Sequence, residues 1–123
     1  MLTITQAERE MEKRKNQTGI VPMDKLTTPI TIIGAGWIGS LTTLILTMMG
    51  FSDLTVIDFD TIELHNITSQ CYKASQIGMA KVDALAQVCK EFSEIDIKPV
   101  NSSDLYRPTP IIISCVDNMD LRL

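Results

Sequence analysis

The junction between "ITII" at residues 30–33 and the "GAGWIG" that follows limits the fold more than any other part of the 123-residue chain. The first stretch is short and β-branched, which suits a strand, and the second places Gly34, Gly36 and Gly39 in the spacing GxGxxG. In that context Gly34 permits a tight turn, Gly36 lets backbone approach a phosphate, and Gly39 lets the next helix pack closely. Residues 40–49 are apolar enough to form a helix covered on most of its surface, and Gly50 ends it. "LTVIDF" at residues 54–59 then returns as a continuous apolar strand, the pattern of a parallel strand covered on both faces. Strand, glycine turn, helix and strand make a βαβ unit with a right-handed crossover.

Beyond this unit, residues 79–92 place Val82, Leu85, Ala86 and Cys89 at helical spacing, which predicts an amphipathic helix. Residues 95–100 alternate as a third strand, and "PIIISCV" at residues 110–116 reads as a fourth and more fully buried one. The fold class is therefore α/β, a mostly parallel sheet with flanking helices. Such sheets normally continue past a fourth strand, so the chain is expected to be truncated at its C-terminus. Residues 5–15 predict a short charged helix with Thr3 or Thr5 as its cap, and residues 1–28 form that helix and a connection into the main domain at residues 29–123.

The overall totals exclude several classes of function. Eleven basic against 15 acidic residues give a net charge of -4, with no dense basic stripe to neutralise phosphates, so no nucleic acid partner is expected. No membrane association is expected either, because the apolar run near residues 41–51 is too short to span a bilayer and the charged N-terminus has no signal-peptide core. Cys71, Cys89 and Cys115 form no CxxC pair, which indicates neither zinc nor a disulfide framework and favours a reducing, cytoplasmic setting. Cys115 reads as core. Cys71 has only His65 nearby in sequence, and that histidine reads as a loop or pocket residue.

The candidate site begins at the glycine turn, where a helix start offers unpaired N–H groups to an anion. Asp58 closes the second strand 24 residues after Gly34, where a carboxylate can accept both hydroxyls of a ribose. Trp37 suits a wall beside the nucleotide, core packing or a partner contact. At this point a dinucleotide and an adenine nucleotide both fit. An NAD-dependent oxidoreductase needs the same turn and aspartate, but it leaves Asp60, Lys81 and Asp117 without roles.

The nucleotide classes separate on "DFDTIELHN" with Asp58, Asp60, Glu63 and Asn66, on "IGMAK" with Lys81, and on "SCVDN" with Asp117 and Asn118. With the glycine turn, these strings resemble the adenylating domain of the ubiquitin-activating (E1-like) family, the ThiF/MoeB/HesA group, over about residues 30–118. The resemblance implies that residues 29–123 are the N-terminal part of a Rossmann-like ATP-binding adenylation domain, using ATP and Mg2+ and working as a dimer or pseudo-dimer. It implies adenylation of the C-terminal carboxylate of a ubiquitin-like or sulfur-carrier protein. Asp58 would then hold the ribose, with Gly34, Gly36, Gly39 and Asp60 completing the nucleotide site. Lys81 would contact the phosphates, Asp117 would bind Mg2+, and Asn66 and Gln70 would wall the pocket. Lys81 and Asp117 are the catalytic candidates.

The chemistry agrees with those roles. A carboxylate attacking the α-phosphorus is already ionised near neutrality, and charge builds on phosphoryl oxygens, so cations matter more than a base. Two departures from the family pattern stand out. Ser69 occupies the place of the arginine in Asn-x-x-Arg-Gln, and a second arginine, supplied in the family by a partner's N-terminal helix, has only Arg9 or Arg14 to represent it. The alternatives are accordingly a catalytically inactive nucleotide-binding or dimerisation domain of the same fold, and an NAD-dependent oxidoreductase.

Overall fold

The computed structural model describes residues 5–17, 19–104 and 109–116. Four strands, β1 (Ile30–Ile33), β2 (Leu54–Asp58), β3 (Lys98–Asn101) and β4 (Ile111–Ser114), form one sheet in the order β3-β2-β1-β4. Every pairing is parallel, with Ile32 opposite both Val56 and Ile113. Helices α2 (Trp37–Met49) and α3 (Lys81–Ser93) make the connections, and α1 (Gln6–Arg14) precedes the sheet.

β1 is buried along its whole length, and the core joins Ile30 and Ile32 to Leu54, Val56, Val82, Leu85 and Cys89. Burying each such aliphatic side chain contributes about 1.5–3 kcal/mol. α3 follows the amphipathic expectation closely, burying Val82, Ala84, Leu85, Val88 and Cys89. It starts two residues later than the periodicity suggests because Ala80 is extended and serves as its N-cap.

α2 departs from expectation. Its buried face is made of Gly39, Ser40, Thr43 and Thr47, while Trp37, Ile38, Leu41, Ile45 and Met48 are exposed. Small residues let the helix lie close to α3 and to the glycine turn at Gly39. The threonine hydroxyls are satisfied within the helix, Thr43 donating to the Gly39 carbonyl at 2.7 Å and Thr47 to the Leu44 carbonyl at 2.8 Å. Hydroxyls paired in this way can be buried, so the helix does not need to turn its large apolar side chains inward.

The end of α2 is tied down by α1. Gly50, at φ +104°, closes the helix, and its N–H donates to the Leu46 and Thr47 carbonyls. Arg14 donates to the Met48 carbonyl at 2.7 Å and Gln17 to the Met49 carbonyl at 2.6 Å, satisfying groups that a helix end leaves orphaned. Arg14 is therefore buried on its own chain. Arg9 pairs with Glu94 at 3.0 Å, and that guanidinium holds the Glu94 carboxyl below the usual carboxylate range. Neither arginine is idle in this arrangement.

β4 also differs from its sequence pattern. It was expected to be the more fully buried strand, yet Ile111 and Ile112 are 42% and 47% exposed. β4 lies at an edge of the sheet and pairs with β1 alone among the described residues, so its apolar run lacks the cover that β1 receives. At the opposite edge, β3 begins at Lys98, and Ile97 just before it supplies the buried apolar contact.

Candidate functional site

The strand order runs outward from β1 in both directions, to β2 and β3 on one side and to β4 on the other. Parallel sheets leave a crevice beyond the carboxyl ends of the strands at such a switch point, and the glycine turn sits there. Gly34 has φ +99°, its N–H donates to the Ile57 carbonyl at 2.8 Å, and a Cβ on it would meet the Cys115 carbonyl oxygen at 3.0 Å. Gly39 is packed harder still, with its missing Cβ only 1.7 Å from the Gly34 carbonyl oxygen. Gly36 is different. A Cβ there would meet nothing within 4 Å, and its N–H has no acceptor among the described residues. Two glycines thus serve close packing, and the third leaves backbone open to a ligand.

Asp58 is fixed by the turn. One carboxylate oxygen accepts the Ala35 N–H at 2.7 Å and the other accepts the Asp60 N–H at 2.8 Å. A carboxylate has about four acceptor positions, so each oxygen keeps capacity for a ribose hydroxyl. The Asp60 backbone carbonyl accepts the Lys81 N–H at 2.9 Å, which ties the start of α3 to the end of β2. Lys81 is buried and makes no ion pair among the described residues. The Asp60 side chain is exposed and likewise has no ion pair there.

The loop after Asp60 divides the predicted pocket residues. Asn66 is buried, but its side-chain oxygen accepts the Glu63 N–H at 2.8 Å, so that oxygen staples the loop itself. Gln70 has a buried Oε1 with no donor among the described residues, and such a buried acceptor calls for a partner such as a ligand donor. Ser69 is exposed. His65 stands 3.4 Å from Glu63 with both side chains exposed, a surface pair with no thiol in it. Asp117 lies outside the described residues.

Two contacts carried no signal in the sequence. The Tyr72 hydroxyl donates to the Ala35 carbonyl, and the Cys71 N–H donates to the Ser40 hydroxyl at 3.2 Å. The loop end is thereby fastened to the glycine turn. Burial, with the nearby Asp58 charge adding to it, pushes the Tyr72 phenol well above its ordinary range, so it stays a donor. Burial also pushes the Cys89 thiol up to about 11 and raises Cys115, which leaves both as unreactive thiols near neutrality.

Among the described residues no three His, Cys, Asp or Glu side chains gather as a metal site. Magnesium requires less, because one or two carboxylates with phosphate oxygens and water complete its shell. The unpaired Asp60 carboxylate fits such a donor set. Trp37 is 66% exposed, which removes core packing from its three readings. No helix among the described residues is long and apolar enough to cross a membrane.

Residues 21–123 match the model of the ThiF family. The chain is 30% identical over 114 residues to ubiquitin-like modifier-activating enzyme 5 of Drosophila grimshawi, covering 76% of this chain and 29% of that protein. It is 30% identical over 102 residues to adenylyltransferase and sulfurtransferase MOCS3-2 of Zea mays, covering 76% of this chain and 21% of that one. Among solved structures, E. coli MccB with ATP superposes with a TM-score of 0.72 at 26% identity, covering 78% of this chain and 31% of MccB. E. coli TcdA, a tRNA N6-threonylcarbamoyladenosine dehydratase solved with ATP, shares the fold with a TM-score of 0.78 at 19% identity, covering 95% of this chain and 53% of TcdA. The chain thus spans under a third of the curated relatives named here.

Proposed function

The chain belongs to the ThiF family, and on that footing we propose that it carries the nucleotide-binding part of an enzyme that adenylates the C-terminal carboxylate of a ubiquitin-like or sulfur-carrier protein with ATP and Mg2+. The observation that carries this reading is the open Gly36 peptide at the switch point, with an N–H lacking any protein acceptor among the described residues. A phosphate oxygen fits that N–H and the start of α2. Asp58 accepts from the ribose hydroxyls, and Gln70 takes a donor from the nucleotide. Lys81 lends positive charge to the phosphates as the acyl-phosphate bond forms and pyrophosphate departs. Asp117, to which the family resemblance gives Mg2+, and Asp60, whose exposed carboxylate has no ion pair among the described residues, would hold the metal, whose contribution when bound is neutralising charge on the departing pyrophosphate. The attacking carboxylate needs no base, consistent with a chain holding a single histidine.

The relatives' names support the substrate class, since one activates a ubiquitin-like modifier and another is an adenylyltransferase and sulfurtransferase. The test is ATP–pyrophosphate exchange by the full-length protein with a panel of ubiquitin-like and sulfur-carrier proteins. Carrier-dependent exchange supports adenylation. Tight Mg-ATP binding without exchange for any carrier selects the second reading, a nucleotide-binding or dimerisation domain without turnover. NADH binding with no ATP affinity would select the oxidoreductase.

Ser69 is the observation that favours the second reading, because no fixed cation stands where the family has arginine. Its side chain is exposed, and its backbone N–H reaches the Asn66 carbonyl at 3.4 Å, a contact that does not involve the side chain. Ser69→Arg is therefore expected to fold normally and to raise the exchange rate about tenfold or more, by adding charge opposite the phosphates. An unchanged exchange rate would show that position 69 does not face the reacting phosphates.

The reading includes a homodimer. Ile38, Leu41, Ile45 and Met48 repeat at intervals of three and four residues along the exposed face of α2, and the helix contains no charged residue. Apolar residues at that spacing suit packing against an identical helix. Two copies of a chain with net charge -4 can meet on this face without opposing like charges. Sedimentation equilibrium of the full-length protein is expected to give twice the monomer mass, and Ile45→Lys is expected to return it to the monomer. A dimer that survives Ile45→Lys would place the contact elsewhere.

A further inference from the structure

We propose that Tyr72 is a positioning residue for phosphate binding, acting through the Ala35–Gly36 peptide. The inference rests on the nucleotide reading above and adds a residue to it. Ala35, the middle residue of the first Gly-Ala-Gly, is fully buried and has both backbone polar groups held by side chains from other segments. Its N–H donates to Asp58 at 2.7 Å, and its carbonyl accepts from the Tyr72 hydroxyl. That carbonyl and the Gly36 N–H belong to one peptide unit, and no cis bond occurs among the described residues. In a planar trans peptide the C=O and N–H point in opposite directions. Fixing the Ala35 oxygen on the phenol therefore aims the Gly36 N–H away from Tyr72, and that N–H has no acceptor among the described residues.

A second contact carries the loop with it. The Cys71 N–H donates to the Ser40 hydroxyl at 3.2 Å, so residues 71 and 72 grip the turn at Ala35 and the first turn of α2 at Ser40. The same short segment carries Gln70, whose buried Oε1 has no donor among the described residues. Tyr72 thus links the open peptide donor to the loop that presents this acceptor. The two bonds at the peptide also reinforce each other. An anion on the Gly36 N–H polarises the unit and strengthens acceptance at the Ala35 carbonyl, so the phenol senses phosphate without touching it.

The test compares the full-length protein with Tyr72→Phe, which keeps the ring and removes the donor. Calorimetric titration with Mg-ATP is expected to show Kd raised about tenfold, the loss of roughly one hydrogen bond's worth of orientation. The Kd for adenosine, which has no phosphate, is expected to stay unchanged. Equal Mg-ATP affinity in both proteins overturns the proposal while leaving the nucleotide reading intact. Equal weakening for Mg-ATP and adenosine also overturns it, because general loosening of the site would explain that result. If the unaltered protein binds no Mg-ATP, the nucleotide reading itself fails and the proposal fails with it. Should Tyr72→Phe not fold, 3-fluorotyrosine introduced at position 72 replaces it as the probe. Its fluorine resonance is expected to move on saturation with pyrophosphate and to stay in place with adenosine; no movement with pyrophosphate overturns the proposal.

Discussion

Gly39→Ala is expected to cost the protein most of its stability, to the point where urea melts followed by circular dichroism show no cooperative transition. The added methyl would lie 1.7 Å from the Gly34 carbonyl oxygen and 2.7 Å from its carbonyl carbon. Both are backbone atoms of a turn pinned by the Gly34 N–H on the Ile57 carbonyl, so they cannot yield as a flexible side chain would. Nor can the helix tilt freely, since the Cys115 Cβ would stand 3.3 Å from the same methyl. Ordinary overpacking costs about 1–3 kcal/mol because side chains find other rotamers. Here relief requires lifting α2 off β1, which moves the expected loss above about 4 kcal/mol, a large part of the 5–15 kcal/mol that a domain has. Gly36→Ala serves as the internal comparison. Its methyl meets nothing, so the melt should be unchanged while Mg-ATP affinity falls, because the methyl stands where phosphate would approach. A normal melt for Gly39→Ala would mean that helix and turn are not in the close contact described.

That contrast marks what the residues alone disclose. Gly34 and Gly39 in the GxGxxG spacing read as turn and close helix contact because each answers a steric demand that no larger residue meets, whereas a Cβ on Gly36 would meet nothing within 4 Å. β1 matches its sequence limits of residues 30–33 because a strand buried on both faces leaves an unbroken apolar run. The same rule misreads β4. "PIIISCV" carries the apolar signal of a central strand, but hydrophobicity does not report how many neighbours a strand has, and β4 has one among the described residues. In α2 the composition is apolar while the buried face is glycine, serine and threonine, a choice set by close approach to α3 and the glycine turn and by hydroxyls that bond their own helix. Arg14 reads as a candidate for the arginine that the family supplies from a partner's N-terminal helix, yet it is buried against the Met48 carbonyl at the end of α2, a contact between segments 34 residues apart. At the site, Asn66 has the residue type of a ligand contact but spends its oxygen on the loop, and Tyr72 sits in no periodic pattern at all. Long-range hydrogen bonds of this kind depend on where the sheet brings segments together, and that information resides in topology.

Asp58→Asn is expected to damage stability and nucleotide binding together, and the reason lies in the number of acceptors. The carboxylate presents two oxygens to two backbone donors, Ala35 N–H at 2.7 Å and Asp60 N–H at 2.8 Å. An amide of the same shape offers one oxygen, and its nitrogen would face the other N–H donor to donor. Losing a charge-assisted bond and stranding a backbone N–H costs about 3 kcal/mol, which should appear as a lower urea midpoint at unchanged slope. Mg-ATP affinity should fall by about a hundredfold, because the remaining acceptor positions that would serve the ribose are lost or diverted to the backbone. Asp60→Asn provides the matching comparison. Asp60 takes part through its backbone N–H, which the substitution keeps, and its side chain is exposed, so the melt should be unaltered. Should Asp58→Asn lower stability while Mg-ATP binds as tightly as before, the carboxylate would be a brace for the glycine turn alone. The ribose would then have to be held by some other acceptor, such as the buried Oε1 of Gln70, which has no donor among the described residues.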